Sequence, residues 1–119
     1  MKDILLENLA FSLNGRLWIE STNDRFLGIG RLELLEKIEA HGSISKAAQA
    51  MGMSYKKAWD LVSSMNTQVR SPLVMTQTGG KRGGGAALTP EGKQALELFQ
   101  GMQARFRQFM DQETARLYE

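Results

Sequence analysis

The chain has no cysteine. Disulfide staples, thiolate metal sites and cysteine catalysis are therefore excluded. A lone histidine, His41, cannot build a histidine metal cluster. No apolar run approaches the roughly 20 residues that a membrane-spanning helix needs, so no membrane role is expected. The start, MKDILLENLAF, carries Asp3 and Glu7 and lacks the long apolar segment of a signal peptide. A cytoplasmic address is the simplest expectation. No nucleophile–base pair, metal cluster or nucleotide loop is visible, so neither catalysis nor a cofactor is expected.

What is present suffices for one domain, or one domain with an extension: 119 residues, 42% of them hydrophobic. The net charge of +2 is unevenly spread. Residues 1–42 hold 5 basic and 7 acidic side chains, residues 43–93 hold 7 and 2, and residues 94–119 hold 3 and 4. The positive excess is confined to the middle segment, as in the electrostatic footprint of a nucleic-acid binder.

That same segment carries the most informative pattern. Gly42 to Asn66, GSISKAAQAMGMSYKKAWDLVSSMN, reads as two short helices joined by a tight turn. Ser45 is suited to cap a helix from Lys46 to Met51, with Gly52 ending it. Ser54 is suited to cap the next, Tyr55 to about Thr67. Ala58, Leu61, Val62 and Met65 fall at i, i+3, i+4 and i+7 and form its buried stripe. Lys56, Asp60, Ser63 and Thr67 lie opposite, and Trp59 lies at the edge between faces. Ahead of this pair, Leu32, Leu35 and Ile38 recur at helical spacing over Gly30 to His41, with Gly42 as the stop.

Beyond it, Pro72 bars the helix from running on. Leu73 to Thr78 and Ala86 to Thr89 read as two strands flanking the glycine-rich loop Gly79 to Gly85. With five glycines around Lys81 and Arg82, GGKRGGG lets the backbone approach a phosphate closely. It is not a Walker A loop, which ends in Gly-Lys-Ser/Thr. Thr89 and Pro90 then open a last helix, to about Tyr118. Ala95, Phe99, Met102, Phe106 and Phe109 alternate spacings of 4 and 3 along it, as in a coiled-coil seam. Near the N-terminus, Asn14-Gly15 is a strong two-residue turn signal. It predicts a hairpin over Leu9 to Glu20, with Leu13 opposite Arg16 and Phe11 opposite Trp18. Met1 to Leu9 is compatible with a helix.

These readings converge on a mainly α fold with small β content: a winged helix-turn-helix with an N-terminal hairpin and a long C-terminal dimerisation helix. A helix fits the DNA major groove, and side chains on its first turns reach base edges. Ser54, Tyr55, Lys56 and Lys57 occupy those turns, and the helix N-terminus itself favours phosphate. Asp60 is repelled by DNA unless it accepts from a cytosine amine. Ser45, Lys46 and Ser63 complete the helical candidates for DNA contact, and Lys81 and Arg82 supply those of the wing. Leu96, Phe99, Met102, Phe106, Phe109 and Met110 are the candidates for dimerisation.

GSISKAAQAMGMSYKKAWDLVSSMN followed by PLVMTQTGGKRGGGAALTPEGKQAL resembles the N-terminal DNA-binding domain of the ModE family of molybdate-responsive transcriptional regulators. The helix-turn-helix part also resembles the LysR-type regulators. The resemblance covers about Gly30 to Leu98 and implies a winged helix; with the residue readings above, that domain spans residues 1–89, with the hairpin at about 9–20 and the wing at 73–89. It implies a dimerisation helix over residues 90–119 and binding to pseudo-palindromic double-stranded DNA as a homodimer. It places Ser54, Tyr55, Lys56 and Lys57 on the recognition helix and Lys81 and Arg82 on the wing. Full-length members carry C-terminal oxyanion-binding domains that this chain, ending at Glu119, does not contain. The expectation is that this chain does not itself bind molybdate: it is a stand-alone short form, acts constitutively, or responds to a separate sensor protein. The other function these residues allow is a winged-helix protein-interaction module with weak DNA binding.

Overall fold

The structure, a computed structural model, describes residues 1–77 and 84–119. Its elements run β1 (Ile19–Glu20), β2 (Arg25–Leu27), α1 (Ile29–His41), α2 (Ile44–Ala50), α3 (Tyr55–Asn66), β3 (Val74–Thr76), β4 (Ala86–Leu88) and α4 (Pro90–Arg116). This is the mainly helical winged-helix architecture expected from the sequence. The chain divides into two compact units, Trp18–Phe99 and a second made of Met1–Leu17 with Gln100–Glu119.

The core of the first unit is built from one side of each helix. Leu32, Leu34, Leu35 and Ile38 of α1 are buried, as are Ile44, Ala47 and Ala48 of α2. From α3 come Ala58, Val62 and Met65, three of the four stripe positions; Leu61 is half-buried. Leu88 of β4 and Phe99 of α4 close the cluster. Burial of these side chains supplies most of the driving force, on the order of 1.5–3 kcal/mol for each large one.

The helix boundaries follow from caps. Gly42 ends α1 in the left-handed region (φ 71°), and its N–H donates to the Ile38 carbonyl. Ser54 caps α3 by accepting the Lys57 N–H at 3.0 Å. The cap of α2 is Ser43, which accepts the Lys46 N–H at 3.0 Å. Ser45 therefore lies inside α2 rather than before it. The reason is Ile44, which is buried and is drawn into the first turn of the helix. Between α2 and α3, Gly52 takes φ 66°, a conformation that a Cβ disfavours; this bend is the turn of the helix-turn-helix.

The wing is antiparallel, with Val74 opposite Leu88, Met75 opposite Ala87 and Thr76 opposite Ala86. One further bond, Gln77 N–H to the Gly85 carbonyl at 2.8 Å, extends the ladder. Two side chains fix its base. The Asn66 Oδ1 accepts the N–H groups of Leu73 (2.8 Å) and Val74 (3.3 Å), while its Nδ2 donates to the Val74 carbonyl (3.0 Å). Thr89 accepts the Gly92 N–H at 3.0 Å, which caps α4, and donates to the Pro72 carbonyl at 2.7 Å. Gly92 is a position where no other residue fits: a Cβ there would run into the Leu73 carbonyl oxygen.

The N-terminal hairpin lies elsewhere than expected. No strand forms over residues 9–17; β1 and β2 pair instead, Ile19 with Leu27 and Glu20 with Arg25. Their turn is Ser21–Asp24, closed by the Ser21 N–H to the Asp24 carbonyl at 2.9 Å. In the second unit, backbone groups that the expected hairpin would have paired are taken by α4. The Phe11 N–H donates to the Tyr118 hydroxyl at 2.8 Å, and the Leu13 N–H to the Thr114 hydroxyl at 2.9 Å. Residues 1–9 form isolated turns, with Ile4 N–H bonded to Met1 O and Leu9 N–H to Leu6 O, rather than a helix.

Candidate nucleic-acid interface

The first turn of α3 is presented outward because its caps and its buried stripe fix its rotation. Tyr55, Lys56 and Lys57 are exposed, as are Asp60 and Ser63 further along. The Ser54 hydroxyl oxygen is engaged as the helix cap, so Ser54 positions the turn as well as lying on it. Lys56 Nζ sits 3.0 Å from Asp60 Oδ2 one turn on, with both side chains exposed. Such a pair contributes only a few tenths of a kcal/mol to the helix and leaves the ammonium able to exchange its partner for a phosphate. Asp60 thus lowers the local positive charge while it holds Lys56 in place.

Beside this turn is an open groove of about 810 Å³. Its walls are the α2 start (Ser43, Ser45, Lys46), the α3 pair Tyr55 and Trp59, and the wing edge at Thr76 and Gln77. The groove thereby gathers Ser45, Lys46 and Tyr55 from the sequence candidates. Lys56, Lys57, Asp60 and Ser63 do not line it. Lys81 and Arg82 lie outside the described residues. The residue that the sequence reading left aside is Trp59. It stacks on Tyr55, ring centroids 6.5 Å apart and planes 12° from parallel. The available signal was the i, i+4 spacing of two aromatics on a helix whose buried stripe was already filled.

A polar clasp on the opposite end of α3 holds the β1–β2 turn. The Ser64 hydroxyl donates to Asp24 Oδ2 at 2.6 Å, and the Arg31 guanidinium reaches both the Ser64 oxygen (2.9 Å) and the Arg25 carbonyl (2.6 Å). Gln68 accepts from the Ser21 hydroxyl at 2.6 Å and donates to the Arg25 carbonyl at 2.8 Å. The Ser64 bond, the Arg25 N–H and the Arg31 charge together hold the Asp24 carboxyl below its ordinary range.

The candidates for dimerisation separate into two groups. Leu96 and Phe99 are buried in the core of the first unit, and Met110 is buried within the second. Their surfaces are covered within the chain. Phe106 is half-buried, with Gly15 close against it. Met102 and Phe109 are exposed, and so is Leu98.

A sequence profile described as "Bacterial regulatory helix-turn-helix protein, lysR family" matches residues 29–93, from the start of α1 into α4. The chain belongs to that family. It is 38% identical over 89 residues to the molybdenum transport protein ModE of Azotobacter vinelandii, covering 75% of this chain and 33% of that protein. It is 44% identical over 86 residues to the molybdenum-pterin-binding protein MopB of Rhodobacter capsulatus, covering 72% and 32%. With the DNA-binding transcriptional dual regulator ModE of Escherichia coli it shares 46% over 69 residues, covering 58% and 26%. The chain spans about a third or less of the length of these relatives. Among solved structures, a variant of S. aureus MepR bound to an oligodeoxyribonucleotide superposes with a TM-score of 0.55 at 16% identity, covering 76% of this chain and 75% of that one. Another MepR variant gives 0.59 at 15%, covering 73% and 65%. At these identities the likeness is one of fold, the winged helix.

Proposed function

We propose that this protein is a sequence-specific DNA-binding transcriptional regulator that reads pseudo-palindromic DNA as a homodimer and acts on genes of molybdate or other metal-oxyanion handling. The observation that carries this reading is the exposed first turn of α3, with Tyr55, Lys56 and Lys57 outward beside a groove that runs to the wing. A helix so presented enters a major groove with its N-terminal residues toward the bases. The charge excess of residues 43–93 supports it, because phosphate neutralisation supplies most of the non-specific affinity. Self-association rests on the exposed Met102 and Phe109 of α4. The link to molybdate rests on similarity to ModE and MopB.

The test is a titration of the protein against a pseudo-palindromic fragment from upstream of its own gene and against a scrambled fragment, each with and without molybdate. Preferential binding that ignores molybdate is expected. Equal weak binding to both fragments would favour the second reading, a protein-interaction module, which the exposed Ile4, Leu6 and Phe109 support.

A further inference from the structure

Given the DNA-reading role proposed above, the lysines and hydroxyls account for polar contacts but leave the aromatic pair without a task. Tyr55 is 57% exposed and Trp59 42%. Both stand at the edge of the helix face that buries Ala58, Val62 and Met65, yet neither ring is covered by the core. Their stacking fixes two large rings in one orientation, so little side-chain freedom is lost when a ligand meets them. They form the aromatic part of a groove also lined by Ile44, Ser45, Lys46, Thr76, Gln77 and Ala86. An occupant suited to this lining has an anionic backbone for Lys46 and an apolar group for the rings. In the major groove a base pair offers one such group, the C5 methyl of thymine.

We propose that Tyr55 and Trp59 read thymine through that methyl group, so that the preferred DNA site carries thymine where the first two turns of α3 meet the bases. The contact is made by the ring faces and does not need the Tyr55 hydroxyl. Burying one methyl against the rings corresponds to about a fourfold gain in affinity.

The experiment uses a duplex selected by the protein from a random-sequence library. It is prepared once with thymidine and once with deoxyuridine at every thymidine position; the two forms pair alike and differ by the methyl groups. Fluorescence anisotropy gives the affinity ratio between them. The wild type is expected to prefer the thymidine form by about fourfold for each methyl contacted. Tyr55→Ala and Trp59→Ala are each expected to bring the ratio toward one, while Tyr55→Phe keeps it. Both side chains are exposed, and thermal melts check that the variants stay folded. A wild-type ratio near one, or a ratio that survives both alanine variants, would overturn the thymine reading and leave DNA binding standing. Selection of no duplex at all would overturn the DNA-reading role, and this inference with it.

Discussion

Phe99 and Phe109 stand ten residues apart on one helix and live in different chemistry. Phe99 is fully buried in the unit Trp18–Phe99, whereas Phe109, in the unit formed by the two chain ends, is 53% exposed. The contrast extends to the units as wholes. Of the 18 buried hydrophobic residues among the described ones, 17 belong to the first unit and Met110 alone to the second. The terminal unit instead exposes Ile4, Leu6, Leu9, Met102 and Phe109. A winged helix of this size completes its own core; the terminal unit keeps apolar surface of the kind that marks an association site.

The two phenylalanines give the widest test of that contrast. Phe99→Ala should destabilise the fold by about 3–5 kcal/mol, read as a drop in the denaturant midpoint. Phe109→Ala should leave the stability of the isolated chain within about 0.5 kcal/mol and weaken self-association in sedimentation experiments. Equal losses of stability would erase the distinction between the units.

Two substitutions probe how the first unit aims its wing. Gly92→Ala drives a Cβ into the Leu73 carbonyl and should cost about 1–3 kcal/mol. Asn66→Ala strands the N–H groups of Leu73 and Val74, at a similar cost of about 1–3 kcal/mol. Thermal melts check both. A neutral Asn66→Ala would show that the wing does not depend on this staple.

The smallest effect belongs to Asp24. Its folded carboxyl titrates below the ordinary value, chiefly through the Ser64 hydrogen bond and then the Arg25 N–H. Its contribution to stability is therefore fully present above the unfolded value of about 3.9 and is lost as pH falls through the lower folded value. The melting-temperature difference between wild type and Asp24→Asn should be widest near neutral pH and close in acid. A difference independent of pH would remove the carboxylate from the clasp.

Local signals served best where the interactions are local. The cap at Ser54, the α3 stripe, the stop at Gly42 and the start of α4 after Thr89 each depend on partners within one or two turns, and each was legible in the sequence. The hairpin was misplaced because Asn14-Gly15 reports only on a turn. The groups that decide the matter, Tyr118 and Thr114, lie over 100 residues away from Phe11 and Leu13. The α2 cap was shifted by two residues because Ser43 and Ser45 are equivalent by type; the burial of Ile44 separates them. Periodicity along α4 marked apolar positions without saying which would be covered in the same chain. The sequence marks Tyr55 as a candidate DNA contact and Trp59 only as an edge residue, because spacing alone does not show that the two rings stack.

In the function proposed above, α3 grips DNA with its first turn. The most direct test of that grip is the salt dependence of operator affinity for wild type and for the double variant Lys56→Ala/Lys57→Ala. If both lysines neutralise phosphates, the variant binds more weakly and its slope of log affinity against log salt is shallower by up to about 1.8, at roughly 0.9 for each contact. Unchanged affinity with an unchanged slope would mean that the grip lies elsewhere on the molecule and would overturn the role proposed for α3.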